Sequence, residues 1–424
     1  MAHSEPAIAR GLGVRLPWSV WASEGEQILE VPASWDCVRL QMADAPALCR
    51  REIARALDEP IGAPPLETLA RGKRSASIAI DDRTRPLKTA DLLPELVDRL
   101  TQAGVPAEGI TIVVASGAHR RASQLDLEAK IGRELLARVR AVPHDPQADL
   151  VDTGVALGGV PVRINREFAG AELRIGVGGV IPHPFAGFSG GGKIVIPGLA
   201  DLDVLARTHK FALMGFRGGA RLQGNSFRAE METAVRRIGL HWTVNVALNA
   251  NRDAAAVYAG DLVEAHRAAA DAAARIGLTA APDRPLDAIV LNAYPKDGEL
   301  LQVESALVPL RQGMMPWLAP GAPVVLSAAC PEGLGHHGLF GPGGRLFRKP
   351  SRKSFLNDHP LIVFSPGVGD EDMPAVFWDG YPLCRTWDAV VSGLTPHMKK
   401  GATIGVVPCA PLQVAAADQS VAGA

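Results

Sequence analysis

Short apolar runs alternate with helical patterns along most of this chain, and this alternation limits the possible folds more than any other feature. From about residue 75, the segments SASIAI, ITIVVAS and LRIGVGGVI have the composition of buried strands. Between the first two lies TADLLPELVDRLTQAG, with apolar residues at helical spacing, Thr89 as the predicted N-cap and Gly104 as the predicted stop. A further helix is predicted over 123–140. Such alternation predicts an α/β fold with mainly parallel sheets.

A second series of strand-like runs begins after the segment LTAAPDRPLD. Its members are AIVLN (288–292), APVVLS (322–327), LIVFS (361–365) and ATIGVV (402–407). We therefore predict two α/β domains with a cleft between them, an N-terminal domain over 1–279 and a C-terminal domain over 280–424. Residues 12–31 are predicted to form two strands joined by a turn, and about the last dozen residues are predicted to fray.

Composition excludes several classes of protein. The 424 residues are 47% hydrophobic and 21% charged, which is enough to build a sizeable core. The formal net charge of -1 gives no basic excess, so neither nucleic acid nor a membrane surface is an expected partner. The five cysteines form no CxxC pair, and no run of eighteen apolar residues occurs. These features predict a cytoplasmic protein without a disulfide framework.

Polar clusters directly follow four of the apolar runs. They are Asp81-Asp82-Arg83-Thr84-Arg85-Pro86, Gly117-Ala118-His119-Arg120, Pro182-His183-Pro184 and Ala293-Tyr294-Pro295-Lys296-Asp297. Ligands of open α/β sheets bind beyond the carboxyl ends of the strands. Four such clusters rich in His, Arg and Asp therefore predict one ligand-binding cleft, although a single polar loop would indicate little by itself.

The segment Phe188-Ser189-Gly190-Gly191-Gly192-Lys193 is the strongest local signal. Consecutive glycines can adopt positive φ and direct backbone N–H groups at an anion. Ile194 follows the lysine, so the segment is not a Walker A loop. The segment predicts phosphate or cofactor binding, with Lys193 as a charge or a covalent attachment point, and the alternative is a flexible glycine turn.

Histidines supply the remaining candidates. His209 lies in a helix predicted over 201–214, just after the glycine segment, where an imidazole could bind nickel, copper, zinc or iron. His119 and His183 could give and take protons on opposite sides of a substrate carbon. The pair His336-His337 could also bind metal, but adjacent histidines in a glycine-rich loop are more often solvated.

Taken in order, these motifs resemble the nickel-dependent lactate racemase family of 2-hydroxyacid racemases and epimerases. The resemblance runs from about residue 12 to residue 410. The segments that carry it, beyond the polar clusters and the glycine segment, are GNSFRAE (224–230), YAGDLVEAHRAA (258–269) and YPKDGELLQ (294–302). The ordered set is specific, whereas any one member alone would not be.

The resemblance implies a cofactor and a domain role for each half. Family members carry nickel in a nickel-pincer nucleotide, a Ni(II)-pyridinium-3,5-bisthiocarboxylate mononucleotide. By resemblance, Lys193 tethers this group through a thioamide and His209 completes the nickel coordination. The residues that match the turn holding the nucleotide are Asp82, Arg83, Thr84 and Arg85. The N-terminal domain would then be catalytic, and the C-terminal domain would contribute substrate contacts. Cofactor maturation enzymes are implied partners.

The resemblance also implies the reaction, which is inversion of the 2-carbon of a small 2-hydroxy acid. One of His119 or His183 would take the hydroxyl proton while hydride moves to the cofactor, and the other would return a proton on the opposite face. Arg85 or Arg83 could neutralise a phosphate or a carboxylate. Gln302 matches a substrate contact. Ser305 stands where lactate racemases have a substrate-contacting lysine, so the substrate is predicted to differ from lactate.

Two other functions are compatible with the residues. The first is a phosphate-binding α/β transferase that uses an ordinary nucleotide at the glycine segment, against which the missing Ser/Thr after Lys193 counts. The second is a non-catalytic carrier of the nickel cofactor, which would need Lys193 and His209 but not His119 and His183. The oligomeric state is not predictable from the sequence.

Overall fold

The backbone of the computed structural model divides at two points into two units. The central unit is Ala45–Ile276, and the terminal unit combines the residues up to Asp44 with those from Gly277 onward. The structure describes residues 8–10, 13–23, 25–213 and 220–416. The predicted fraying of the last dozen residues falls mostly outside this part of the chain.

Strands alternate with helices in both units, as predicted. The strands are β1 (Ile8–Arg10), β2 (Gly13–Trp18), β3 (Gly25–Glu30), β4 (Asp36–Arg39), β5 (Ala76–Asp81), β6 (Ile110–Ala115), β7 (Arg140–Pro143), β8 (Leu150–Leu157), β9 (Val160–Asn165), β10 (Leu173–Val180), β11 (Pro182–His183), β12 (Gly187–Phe188), β13 (Trp242–Leu248), β14 (Ala254–Gly260), β15 (Leu278–Thr279), β16 (Ala288–Asn292), β17 (Val324–Ser327), β18 (Leu361–Phe364), β19 (Leu383–Cys384), β20 (Thr403–Val407) and β21 (Val414–Ala415). The α-helices are α1 (Arg50–Asp58), α2 (Leu66–Ala70), α3 (Leu93–Gln102), α4 (Gln124–Ile131), α5 (Arg133–Leu136), α6 (Arg166–Gly170), α7 (Leu202–Leu213), α8 (Ser226–Ile238), α9 (Glu264–Ile276), α10 (Leu300–Val303), α11 (Met373–Val376) and α12 (Trp387–Leu394).

The central unit is built on a six-stranded sheet with the order β14-β13-β10-β5-β6-β7. All pairs are parallel except β13 with β14. The chain starts in the middle at β5, proceeds through β6 to β7, and then returns to the other side of β5 as β10. This reversal creates a switch point between β5 and β10, where an open α/β sheet leaves a crevice beyond its carboxyl ends.

The terminal unit contains a seven-stranded sheet with the order β1-β4-β20-β16-β17-β18-β19. Strand β4 pairs in parallel with β20, and β1 pairs antiparallel with β4. The residues up to Asp44 therefore join the C-terminal strands, whereas the sequence grouped them with the domain over 1–279. The second break, after Ile276, lies close to the predicted boundary at residues 279 and 280.

Strand residues of the terminal sheet alternate between two apolar layers. On β16, Ile289 and Leu291 pack into one cluster with β17 residue Val324, whereas Ala288 and Val290 pack into the cluster on the other face. Because successive strand side chains point to opposite faces, a continuous apolar run fits a sheet that is covered on both sides. The α/β class with parallel-strand sheets is thus confirmed.

Two helix predictions need correction. The helix predicted over 123–140 is α4 and α5, separated by Gly132 at φ 85°, and residue 140 already begins β7. Thr89 is not the cap of α3, because that helix begins after Leu92 and the Thr89 hydroxyl instead donates to the carbonyl of Lys130. The strand pair predicted over 12–31 is the antiparallel hairpin of β2 and β3. Within the described residues, no helix is long and apolar enough to span a membrane.

Candidate active site

Three of the four predicted polar clusters meet around the switch point of the central sheet. They follow β5, β6 and β10, which are neighbouring parallel strands with their carboxyl ends at one edge. The fourth cluster, which begins at Ala293, follows β16 in the terminal unit. The central unit therefore assembles the site from the turn over 82–87, the segment 116–120 and the segment 181–193.

His119 is held by the turn that follows β5. Its Nδ1 lies 2.7 Å from Asp82 Oδ2 and 3.1 Å from the Thr84 hydroxyl. The other carboxylate oxygen, Oδ1, accepts hydrogen bonds from the amide and hydroxyl of Thr84. Burial alone would raise the pKa of Asp82, but His119, Arg85 and Thr84 together hold it below its usual range. An ionised Asp82 places the His119 proton on Nδ1 and the lone pair on Nε2.

The two neighbouring arginines of the predicted nucleotide turn have different partners. Arg83 donates to Asp126 Oδ1 at 2.8 Å, and Arg120 donates to Asp126 Oδ2 at 2.8 Å. Burial would raise the pKa of Asp126, but Arg120, Ser123 and Arg83 lower it to about 2. Arg83 thus fixes the start of α4, while Arg85 stays beside the site, where its Nη1 lies 2.7 Å from the Thr84 hydroxyl.

A buried phenylalanine joins the other candidates. The Phe185 ring lies edge-on to His183 at 4.6 Å and to His209 at 5.7 Å between centroids. The ammonium nitrogen of Lys193 lies 5.8 Å from the same ring centre. Phe185 was not among the residues predicted from the sequence, although it lies between two that were, His183 and Lys193. The structure therefore brings His183, Lys193 and His209 around one aromatic ring.

Backbone contacts give these imidazoles different proton positions. His209 Nδ1 lies 2.7 Å from the carbonyl of Leu205, which can only accept, so the proton is on Nδ1 and the lone pair is on Nε2. His183 Nδ1 accepts from the amide of Ala186 at 3.3 Å, so a neutral His183 carries its proton on Nε2. Burial is the main reason that the pKa of His209 is lowered to about 3. This ring is neutral at physiological pH.

Lys193 lies near other charged side chains of the site. Burial lowers the pKa of Lys193 well below its usual value, and Arg85 and Arg228 lower it further. After burial, Lys193, His119 and Arg85 also contribute to the lowered pKa of His209. An uncharged amine is a nucleophile, whereas an ammonium is not.

The glycine segment does not have the open anion cradle that its composition suggested. The amide of Gly191 donates to Asn245 Oδ1 at 2.8 Å, and the amide of Lys193 donates to the carbonyl of Gly190. Residues 188–192 are buried, and Gly191–Ile194 form a short 3₁₀ turn. The segment therefore acts as a packed support for Lys193 instead of a phosphate-binding loop.

Protein side chains alone do not form a metal centre in the described part of the chain, where no group of three His, Cys, Asp or Glu is placed to hold an ion. His337 Nδ1 accepts from the amides of Leu339 and Phe340, which is a structural role. The structure therefore gives no support to the prediction that His336-His337 could bind a metal ion. A metal at His209 would need further ligands from a bound group.

Gln302 and Ser305 belong to the terminal unit, where they share a short helical turn. Gln302 lies in α10, and the Ser305 hydroxyl donates to the carbonyl of Gln302 at 2.7 Å. Lys353, which the sequence analysis missed, forms an ion pair with Glu304 beside this turn. Burial lowers the pKa of Lys353 to about 8.

Known proteins with similar sequences are racemases. A family model described as the lactate racemase N-terminal domain matches residues 23–218. The lactate racemase of Lactiplantibacillus plantarum is 30% identical over 292 residues, which is 68% of either chain. The lactate racemase of Thermoanaerobacterium thermosaccharolyticum is 27% identical over 294 residues, which is 68% of this chain and 67% of that one.

Solved structures show the same fold. The lactate racemase apoprotein from Thermoanaerobacterium thermosaccharolyticum superposes with a TM-score of 0.74 at 22% identity, covering 96% of this chain and 100% of that chain. A protein from Thermotoga maritima gives a TM-score of 0.65 at 18% identity, covering 89% of this chain and 100% of that chain. The fold and its relatives define a two-unit α/β protein of the racemase class. By its sequence similarity, the chain belongs to the lactate racemase family.

Proposed function

We propose that this protein is a racemase or epimerase that inverts the 2-carbon of a 2-hydroxy acid with a nickel-pincer nucleotide. The observation that carries the proposal is the arrangement of His183, Lys193 and His209 around Phe185, with His119 at the same edge of the central sheet. Racemisation needs a proton acceptor and a proton donor near one carbon, and the cluster has two imidazoles for these tasks.

The residues of the cluster fit the nickel-pincer nucleotide. The lowered pKa of Lys193 favours the amine form that would condense with a thiocarboxylate of the cofactor to a thioamide, with release of water, and His209 would offer its Nε2 lone pair to nickel. Since the described side chains form no complete metal centre, a cofactor that brings its own sulfur ligands suits a single histidine. Arg85 would neutralise negative charge on the cofactor or substrate. When bound, the cofactor supplies a reversible acceptor for hydride from the substrate carbon.

His119 and His183 are proposed as the acid/base pair, with one ring starting as the neutral base and the other as the protonated acid. His119 has a lone pair on Nε2 because Asp82 holds the proton on Nδ1, so it can take the hydroxyl proton. His183 must start as the imidazolium to return a proton to the substrate oxygen, since a neutral ring that lost its Nε2 proton would become an imidazolate; in the neutral state its Nε2–H can donate a hydrogen bond. Inversion then leaves His119 protonated and His183 neutral, and inversion in the other direction restores the starting states.

The substrate is proposed to be a 2-hydroxy acid other than lactate, with Gln302 and Ser305 as contacts. The cation beside their turn, Lys353, is paired with Glu304. The turn therefore offers short neutral groups, which leave more room than a lysine at position 305 would. Cofactor maturation enzymes stay predicted partners, and a cytoplasmic location stays a prediction.

The deciding experiment is a screen of 2-hydroxy acids of increasing side-chain size with cofactor-loaded protein, followed by loss of optical rotation. We expect inversion of at least one acid at a higher kcat/KM than that for lactate. His119→Gln and His183→Gln should each lower kcat by about 10²–10⁴-fold while nickel content is retained, because each removes one proton-transfer group. His397→Gln, at an exposed position, is the matched control.

The same preparation separates the two alternatives. An ordinary-nucleotide transferase predicts no nickel, no visible absorbance and no covalent mass increase at Lys193. A cofactor carrier predicts nickel and the mass increase, but no inversion of any acid in the screen. Full activity of both histidine variants would contradict the assignment of the acid/base pair.

A further inference from the structure

The loop that joins His183 to Lys193 has every backbone carbonyl from residue 185 to residue 190 engaged. The Arg228 side chain serves three of them, donating from Nε to Ala186 at 3.1 Å, from Nη1 to Gly190 at 3.4 Å and from Nη2 to Phe188. These are alternate residues of the loop. One planar guanidinium therefore binds the loop from Ala186 to Gly190.

The intervening carbonyls have other donors. Asn225 Nδ2 donates to Phe185 at 3.0 Å, and the Ala220 amide donates to Gly187 at 3.0 Å. His266 Nε2 lies 2.7 Å from the carbonyl of Ser189. Asn225 also caps α8 through its Oδ1, so the start of this helix is tied to the loop. Such complete satisfaction leaves the loop little freedom to change its conformation.

Burying the charged Arg228 side chain costs more free energy than burying an apolar side chain that would fill the same space. It is 2% exposed, and its counter-charge is Glu232, one helical turn away at 3.4 Å. Burial lowers the pKa of Arg228 to about 10 despite this partner. Apolar residues of similar volume usually pack at least as well as a buried ion pair. The hydrogen bonds to the loop are a physical reason for a guanidinium here.

We propose that Arg228 is a positioning residue that sets the shape of the loop over 185–190 and thereby the placement of His183, Phe185 and Lys193. The consequence of this role for catalysis rests on the proposed function. Lysine could not replace it, because an ammonium presents three donors from one atom and cannot reach alternate carbonyls along a line. The segment GNSFRAE, which contains Asn225 and Arg228, thus acquires a role that its sequence did not reveal.

The test compares Arg228→Lys and the double variant R228M/E232Q with the natural protein, prepared without cofactor. The double variant avoids leaving a buried carboxylate unpaired. We expect backbone amides of residues 185–193 to exchange hydrogen at least about tenfold faster in both variants, with β10 exchange unchanged. Arg237→Met, on the exposed face of α8, should match the natural protein.

A second readout is the covalent mass increase at Lys193 after cofactor loading, which should fall about tenfold in both variants. If the double variant does not fold, Arg228→Lys decides the question, because it keeps a positive charge opposite Glu232. Exchange and loading within twofold of the natural protein would overturn the proposal. A rise in exchange that includes β10 equally would also overturn it, since Arg228 would then be merely structural. If the natural protein takes up no cofactor, the proposed function fails, while loop exchange still decides the role of Arg228.

Discussion

At the scale of single residues, the turn after β5 directs neighbouring side chains to different partners. Asp82 and Arg83 were both assigned to a nucleotide-binding turn, yet Asp82 faces His119 and Arg83 faces Asp126. Adjacent residues of a turn point in different directions, and their partners lie 37 and 43 positions along the chain. No local pattern encodes such distances, so only the fold could assign these pairs.

The Asp82 contact makes a prediction for catalysis. Asp82→Asn keeps Oδ1 for the turn but places an amide donor against His119 Nδ1, which moves the imidazole proton to Nε2. The ring then cannot take the substrate proton, and we expect kcat to fall about 100-fold or more. Nickel content should be unchanged. The rate of inversion measures the effect, with Asp370→Asn as an exposed control. Activity within threefold of the natural protein would contradict an orienting role.

At the scale of elements, strands were easier to predict than the loops and helix ends around them. Apolar runs such as 110–116 and 288–292 gave β6 and β16 almost to the residue, because burial on both faces leaves a continuous signal. In the glycine segment, by contrast, the glycines serve close packing. Gly191 has φ 58°, and a Cβ there would lie 2.9 Å from the His266 ring. That ring comes from α9, which the sequence did not connect to the loop.

The packing of Gly191 can be measured through stability. Gly191→Ala adds a left-handed alanine, at about 1–2 kcal/mol, and an overpacking cost of about 1–3 kcal/mol against His266. We expect the free energy of unfolding to fall by about 2–5 kcal/mol, measured by urea denaturation. Gly159→Ala is the matched control, since Gly159 has φ 80° and nothing within 4 Å of its added Cβ. Equal losses in both variants would show that packing at Gly191 contributes nothing.

At the scale of the whole molecule, two α/β units were predicted from the sequence, and the break after Ile276 lies near the predicted boundary at residues 279 and 280. It did not predict that the first strands join the C-terminal sheet, because β4 is only four residues, Asp36–Arg39, and carries no periodic pattern. The interior of the central unit also holds two histidines to which no role was predicted from the sequence. His144 and His266 are fully buried, and burial lowers the pKa of His144 to about 4 and that of His266 well below its usual value.

These buried imidazoles predict loss of stability in acid. The unfolded chain takes up a proton near pH 6.5 whereas folded His144 does so only near pH 4, so its contribution is complete above pH 6.5 and declines as pH falls towards 4. At pH 5 the loss from His144 is about 2 kcal/mol. His144→Gln retains a donor for the Ala200 carbonyl but does not titrate. Between pH 7.5 and pH 5, the free energy of unfolding measured by urea denaturation should fall less in this variant than in the natural protein. An equal fall in both proteins would contradict the prediction.

The pairing of β4 with β20 has a consequence for how the protein is made. Strand β4 leaves the ribosome early, but its neighbour in the sheet is translated only near the end of the chain. Every strand of the central sheet lies between the two. The central unit, with its histidines and the tethering lysine, can therefore fold on the nascent chain before β4 has its partner strand β20. Protease resistance of chains stalled at successive lengths would reveal that order.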